Sequence, residues 1–402
     1  MKRKFSDRRS FLTGLGGLPL MAAAPGAAAA AARSGAGPRD VIAELGVTPV
    51  INAAGTYTTL TASLMPPEVM DAMVVASKQY VRLPELHLAV GKRIAELLKC
   101  EAAMVSAGCA SALSLATAAC VAGKDRDAIR ALPDTHGLKN EVICQKSHRN
   151  GYDHAIRNAG VRMVEVETRQ DFEIAVNNRT AMMFFLNSAA PNGKIQHEEW
   201  IELGKKYGIP TLIDAAADVP PVDNLFKYTR LGFDLVAFSG GKGLRGPQSA
   251  GMLLGRKELI EAAMMNDSPN SDSLCRTNKV NKEELIGMMV ALELFLNRDH
   301  DAMWKLWEKR CDVIAKQVEK VKGVKTEVFV PEIANAVPHL RVTWNEEKGP
   351  SAREVTEAMR TGKPAIELRP GGGPGISIGV WMMQDGDDEV VAKRLREELA
   401  KG

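Results

Sequence analysis

Four short segments of this 402-residue chain carry side chains whose type and setting suit covalent or acid–base chemistry. Lys242 stands between Gly240-Gly241 and Gly243, just after Phe233-Asp234-Leu235-Val236-Ala237-Phe238, a buried-strand pattern. A primary amine at a strand end is free to form a Schiff base, and its glycine neighbours are expected to let the backbone approach a ligand closely. Asp214 follows directly on Thr211-Leu212-Ile213. That places a carboxylate at the carboxyl end of a central parallel strand, where ligands bind in open α/β sheets. Ser106-Ala107-Gly108-Cys109-Ala110-Ser111 joins apolar Ala102–Val105 to a helical run. Main-chain N–H groups at a helix N-terminus, with the hydroxyls of Ser106 and Ser111, are suited to hold an anion. His148, in the segment after Glu141–Cys144, offers a flat ring that can stack on a heterocycle or move a proton.

Taken singly, each segment has a plainer reading: a solvated lysine, a turn-forming aspartate, an ordinary helix cap, a structural histidine. A P-loop at Lys242 fails because G-x-x-x-x-G-K-[ST] is not present. Together, an amine, a carboxylate, an anion cradle and a stacking ring are what pyridoxal 5′-phosphate (PLP) requires of its protein. The sequence thus predicts a PLP enzyme with Lys242 as the Schiff-base lysine and Asp214 charging the ring nitrogen. Ser106, Gly108, Cys109, Ser111, His148, Ala216 and Ser239 are the other expected cofactor contacts. Arg369 is the candidate partner of a substrate carboxylate, since a guanidinium fork matches that group bidentately. Tyr57, Tyr80 and His87, upstream of the cradle, are candidates to line the site from either subunit. No metal site is expected.

The elements that must position these residues alternate along the chain. Strands are expected at Ala102–Val105, Glu141–Cys144, Val161–Val166, Ala181–Leu186, Pro210–Ile213, Asp234–Phe238 and Ala250–Leu254, with helices such as Cys109–Val121 and Glu198–Tyr207 between them. That order predicts an α/β fold with a mainly parallel central sheet and helices on both faces. From Lys282 a single long helical pattern runs to Lys322, followed by strand-like Val324–Val330 and Leu340–Trp344, a helix from Ser351 and a last helix. The expected organisation is an N-terminal signal segment (1–32), an arm (33–65), a large cofactor-binding domain (66–285) and a small C-terminal α+β domain (286–402).

Five of the 52 basic residues and one acid lie in residues 1–32, so the rest carries 47 basic against 48 acidic residues. A balance near zero gives no electrostatic footprint for nucleic acid or a membrane surface and favours a small-molecule partner. The six cysteines never form C-x-x-C and read as free, buried thiols. At the N-terminus, Lys2-Arg3-Lys4 precedes Asp7-Arg8-Arg9-Ser10-Phe11-Leu12, a short Gly/Ala/Leu stretch and an alanine run. This resembles a twin-arginine export signal and predicts a periplasmic or exported protein. If the segment is not a signal, the location is cytoplasmic.

Val50-Ile51-Asn52-Ala53-Ala54-Gly55-Thr56, Glu101–Gly108, Leu212–Ala216 and Phe238-Ser239-Gly240-Gly241-Lys242-Gly243-Leu244-Arg245-Gly246-Pro247-Gln248 together resemble the selenocysteine synthase-like branch of fold-type I PLP enzymes, which includes D-glucosaminate-6-phosphate ammonia-lyase. The resemblance implies the cofactor-bearing role for Lys242, the ring-nitrogen role for Asp214, and a homodimer or higher homo-oligomer. If the signal segment is removed, the mature chain is expected to start almost at the Ile51-Asn52 motif, whereas the selenium transferases carry an extra N-terminal tRNA-binding domain, so selenium transfer is not the expected activity. The expected activity is α,β-elimination with ammonia release from a β-hydroxy amino acid or amino sugar acid. Racemisation, aldol cleavage and transamination are the alternatives within PLP chemistry, and an exported, non-catalytic solute-binding protein is the alternative outside it.

Overall fold

The computed structural model describes residues 39–369 and 374–401. The proposed signal segment 1–32 and the Pro370–Gly373 stretch after Arg369 lie outside the described residues. Residues up to Pro49 form a unit of their own, with a one-turn helix, Val41–Glu44, whose cap residue Asp40 accepts from the Ala43 amide. The remainder, from Val50, forms the second unit.

That unit begins with strand β1 (Val50–Ala53). Seven strands then build the main sheet: β2 (Ala102–Ser106), β3 (Glu141–Gln145), β4 (Arg162–Val166), β5 (Thr180–Leu186), β6 (Thr211–Asp214), β7 (Leu235–Ser239) and β8 (Gly251–Gly255). Each lies where an apolar run predicted it. Their order is β2-β8-β7-β6-β5-β3-β4, with every pairing parallel except those of β8, which runs antiparallel to β7 and β2. Alternate residues feed two cores. Val105, Ile143, Phe185, Ile213 and Val236 face one side, and Met104, Cys144, Phe184, Leu212 and Leu235 face the other. Because both faces are covered, the strands read as continuous apolar runs without polar alternation. Each large side chain buried there contributes about 1.5–3 kcal/mol. The helix Gly108–Ala122 lies against the second core and is buried almost all round, which its Gly, Ala, Ser and Cys residues permit.

The helical pattern expected to run unbroken across 282–322 is two helices, Lys282–Leu296 and His300–Val318. The break has a local cause. The Asn297 side chain bonds back to the Glu293 carbonyl, and Asp299 caps the second helix by accepting from the Ala302 amide at 2.9 Å. Polar side chains that satisfy backbone groups end helices this way. The second helix buries Trp307, Cys311, Ile314 and Val318 in a third core with Leu340, Val342 and Ile378. Strands β9 (Lys325–Phe329), β10 (His339–Thr343), β11 (Ala365–Leu368) and β12 (Ile376–Gly379) complete the chain's sheets. β10 is central to an antiparallel β12-β10-β9 sheet, and β11 pairs in parallel with β1. The residues just before the large sheet thus contribute a strand to the C-terminal part. All six cysteines are free, and none of the described helices is long and apolar enough to cross a membrane.

Candidate active site

The carboxyl ends of β2, β6 and β7 open into one cavity of about 380 Å³. Lys242 lines it from the loop after β7. The fold itself requires the glycines around it. A Cβ at Gly241 would lie 2.5 Å from the Gln248 Cα, one at Gly240 would lie 2.8 Å from the Ala250 carbonyl oxygen, and one at Gly243 would run into the carbonyl oxygen of Val219. The loop folds back on the protein's own backbone, and glycine is what lets it do so. The Ser63 hydroxyl donates to the Gly241 carbonyl at 2.6 Å and pins the same turn.

Asp214 closes β6 and faces the same cavity. Its Oδ1 accepts from the Ala216 amide at 3.0 Å and from the Cys109 thiol at 3.6 Å. Its Oδ2 takes no hydrogen bond from the described residues. Burial raises this carboxyl above its ordinary range, while Lys242 draws it down. The same burial, with Asp214 beside it, drives the Cys109 thiol well up. A buried carboxylate with one unused oxygen suits a cationic ring N–H.

Four residues on lies Asp218, which sequence reasoning does not single out. Its Oδ2 accepts from Asn187 Nδ2 at 2.7 Å and from the Tyr228 hydroxyl at 3.1 Å, and Asn187 Oδ1 meets His197 Nε2 at 2.7 Å. Burial pushes its carboxyl up to about 7, with the Asp214 charge adding to the effect. The only local signal was a second aspartate after three alanines, which reads equally as a turn.

Ala107, Gly108, Cys109 and Ala110 line the cavity where the helix Gly108–Ala122 begins. No side chain caps that helix. Its first amides are therefore left at the positive end of the helix dipole, a ready anion cradle. Gly108 enters the helix at φ +77°, in the left-handed region that favours glycine. Ser106 and Ser111 were expected to add hydroxyl bonds, but the structure turns both into the protein. Ser106 Oγ donates to the Gly108 carbonyl at 3.0 Å, and Ser111 Oγ accepts from Asn278 at 3.1 Å. The cradle is main chain alone.

Ala216, Ser239, Tyr57 and Arg369 line the cavity as expected, and Tyr152, Gln248, Asn335, His339 and Trp381 join them unannounced by the sequence. His148 and His87 do not. His148 is wholly buried, accepts from the Leu186 amide at 3.2 Å, and packs edge-on against Phe185 at 4.4 Å. Burial, with His197 nearby, pushes its pKa down to about 4. His87 bonds the Val105 carbonyl at 2.8 Å beneath β2. Both rings satisfy buried main chain. The aromatic ring that does reach the cavity from the segment after β3 is Tyr152, four residues past His148. Tyr80 is fully exposed outside the lining.

Of the residues lining the cavity, three carry a buried polar atom without a hydrogen-bond partner among the described residues: Asn335 Oδ1, Arg369 Nη1 and Trp381 Nε1. An unmade buried bond costs about 1–3 kcal/mol, and five more such atoms lie away from the cavity, among them Trp200 Nε1 and Trp307 Nε1.

Residues 50–336 match the family described as "SelA: L-seryl-tRNA selenium transferase". The chain is 27% identical over 375 residues to the D-glucosaminate-6-phosphate ammonia lyase of Salmonella typhimurium, covering 89% of this chain and 97% of the relative. A solved structure of D-glucosaminate-6-phosphate ammonia-lyase superposes with a TM-score of 0.80 at 26% identity, over 90% of this chain and 98% of the other. A Streptomyces 5′-C-glycyluridine monooxygenase-decarboxylase is 31% identical over 339 residues, 81% of this chain and 83% of that one. Serine palmitoyltransferase, solved with PLP bound, shares the fold at a TM-score of 0.56 and 12% identity, over 87% of each chain. The architecture is the fold-type I PLP fold.

Proposed function

The chain belongs to the SelA family, and from that premise we propose that it is a PLP-dependent lyase releasing ammonia and a 2-keto acid from a β-hydroxy amino acid or amino sugar acid. The observation that carries the reading is the convergence of Lys242, Asp214 and an uncapped helix N-terminus on one cavity. These residues fit PLP group by group: the amides of Gly108, Cys109 and Ala110 for its phosphate, Asp214 Oδ2 for its ring nitrogen, and Lys242 Nζ for its aldehyde. When bound, the cofactor supplies a carbonyl that captures amines and a ring that accepts electrons.

The chain's own residues do the rest. Asp214 keeps the ring nitrogen protonated, since a buried carboxylate strongly favours an adjacent cation. Lys242, displaced by the substrate amine, becomes a free base positioned to take the proton from the substrate's α-carbon. Arg369, in the cavity lining, orients the substrate carboxylate. Loss of the β-hydroxyl, followed by hydrolysis of the resulting enamine, conserves the substrate's atoms as keto acid plus ammonia. Trp381, Tyr57 and Tyr152 add aromatic surface to the cavity lining.

Two further parts of the reading concern assembly and location. Leu64, Met70, Val74, Val75, Tyr80 and Val81 form an exposed apolar run on and around the helix Pro67–Ser77. Such a patch favours a homodimer. The Arg8-Arg9 segment supports export.

The test is direct. Borohydride reduction of the yellow holoprotein, followed by peptide mapping, should place the cofactor on Lys242. Ammonia and 2-keto acid should then appear from a panel of β-hydroxy amino acids and amino sugar acids, and Lys242→Ala should abolish both. An unmodified Lys242 would refute the proposal, and keto acid formed only with an added amino acceptor would indicate an aminotransferase. Cell fractionation with Arg8→Lys/Arg9→Lys tests export.

A further inference from the structure

The segment that leaves β6 connects the two groups the cofactor requires. It starts at Asp214, and its Val219 carbonyl abuts the turn that bears Lys242, where a Cβ at Gly243 would run into that oxygen. Lys242 and Gly243 are neighbours in the chain, so the place of Val219 sets the place of the lysine's backbone. Main-chain bonds hold the segment along the way. The Ala215 amide donates to the Ala237 carbonyl on β7 at 2.9 Å, the Asp218 amide to Ala215 at 3.2 Å, and the Asn335 amide to Ala217 at 2.7 Å.

Asp218, next to Val219, ties this segment to the elements around it. It is 2% exposed and does not line the cavity. Its Oδ2 accepts from Asn187, just after β5, and from Tyr228, on the helix Asn224–Leu231. Its carbonyl accepts from Asn224 Nδ2 at 2.7 Å, at the start of the same helix. The donors have a fixed direction. Asn187 spends its Nδ2 on Asp218 and on the Tyr228 hydroxyl, both at 2.7 Å, which leaves its Oδ1 to accept from His197 Nε2. A carboxyl costs more to bury than an apolar side chain, so its presence here points to what it holds. Burial chiefly raises that carboxyl. Asp214 raises it further and Lys242 lowers it, so the charges it feels include those of the cofactor site.

We infer that Asp218 is a positioning residue of the cofactor site: through Asn187, Tyr228 and Asn224 it clamps segment 214–221 to the end of β5 and to the helix Asn224–Leu231, and so keeps Asp214 and the Lys242 turn in register. It lies behind the cavity and acts through those two groups. This rests on the proposed PLP chemistry and extends it to a side chain outside the cavity lining.

The experiment strips the holoenzyme of cofactor and titrates PLP back, well below the unfolding temperature, reading visible absorbance and then borohydride labelling of Lys242. Circular dichroism establishes that each variant is folded. Asp218→Ala should weaken PLP binding at least about tenfold, because it releases the clamp and leaves buried donors unpaired. Asp218→Asn keeps an oxygen for both donors and should stay within about threefold of the wild type. Asn187→Ala should weaken PLP about as much as Asp218→Ala, and the double variant should bind no worse than either, since the two act through one network. A residue that only stabilised the fold would leave the affinity of folded protein untouched. Wild-type PLP affinity in folded Asp218→Ala, an Asp218→Asn loss as large as that of Asp218→Ala, or additive losses in the double variant overturns this inference and leaves the lyase reading standing. If Asp218→Ala does not fold, Asn187→Ala decides, and wild-type affinity in that variant overturns the inference. If the wild type itself takes up no PLP and borohydride leaves Lys242 unlabelled, both fall.

Discussion

Asp218 offers a quantitative check on the electrostatics beneath the cofactor site. Its carboxyl titrates at about 7 in the folded protein, chiefly because it is buried, against an ordinary value near 3.8. Above the unfolded value the unfolded chain gives up this proton and the folded chain keeps it. The native state therefore loses stability as pH rises from about 4 to about 7, and the loss is complete above that. One pKa unit is worth about 1.36 kcal/mol, so between pH 5 and pH 8 the penalty grows by about 3 kcal/mol. Asp218→Asn removes the titration. An amide oxygen at 218 can still accept from Asn187 and Tyr228, as Oδ2 does now. The variant should thus gain on the wild type as pH rises. At about 2.1 cal/mol/K of unfolding entropy per residue over roughly 350 residues, that gain amounts to about 4 °C in Tm between pH 5 and pH 8. The assay is thermal unfolding of both apoproteins at the two pH values. A difference between them that does not change with pH, or that favours the variant more at pH 5, refutes the reasoning.

Gly243→Ala should destabilise the apoprotein by about 1–3 kcal/mol through the clash with Val219, and should reduce cofactor uptake because Lys242 is displaced; thermal melts and absorbance read the two effects. Asp214→Asn should still allow borohydride labelling of Lys242 but lower kcat for keto acid release by about 10²–10³, as loss of one preorganised electrostatic contact does. Met70→Asp/Val74→Asp should convert the expected dimer to a monomer, seen by light scattering, without loss of helical signal.

The large sheet was legible because strands covered on both faces must be apolar throughout, and such runs stand out between Gly, Pro and Asn. The pairing of β1 with β11 was not, since its partners lie some 300 residues apart in sequence and each is only four residues long. Among site residues, Lys242 and Asp214 were legible because a charged residue at the end of a buried strand has few structural uses. The histidines misled for a physical reason. An imidazole is as well suited to satisfying a buried amide or carbonyl as to stacking on a ligand, and His148 and His87 do the former. Glycine was legible only in part: the G-G-K-G pattern marks a close approach of Val219, Gln248 and Ala250, which the sequence does not reveal.

The origin of the cavity's groups bears on how one family can contain different reactions. The residues that would hold the cofactor, Lys242, Asp214 and the Gly108 turn, sit at the ends of β7, β6 and β2 and fall inside the stretch that matches the family, residues 50–336. The rest of the polar lining is another matter. Asn335 is at the very end of that stretch, and His339, Arg369 and Trp381 lie beyond it, on β10, after β11 and after β12. The cofactor chemistry needs only the sheet ends, which a stable core fixes rigidly. On the proposed reading the substrate would be met by groups on short strands and loops of the C-terminal part, where a side chain can change without disturbing that core. An ammonia-lyase and a monooxygenase-decarboxylase at comparable identity to this chain are what such a division permits. On this argument, exchanging the side chains of His339, Arg369 and Trp381 should alter which amine is accepted and leave cofactor attachment at Lys242 intact.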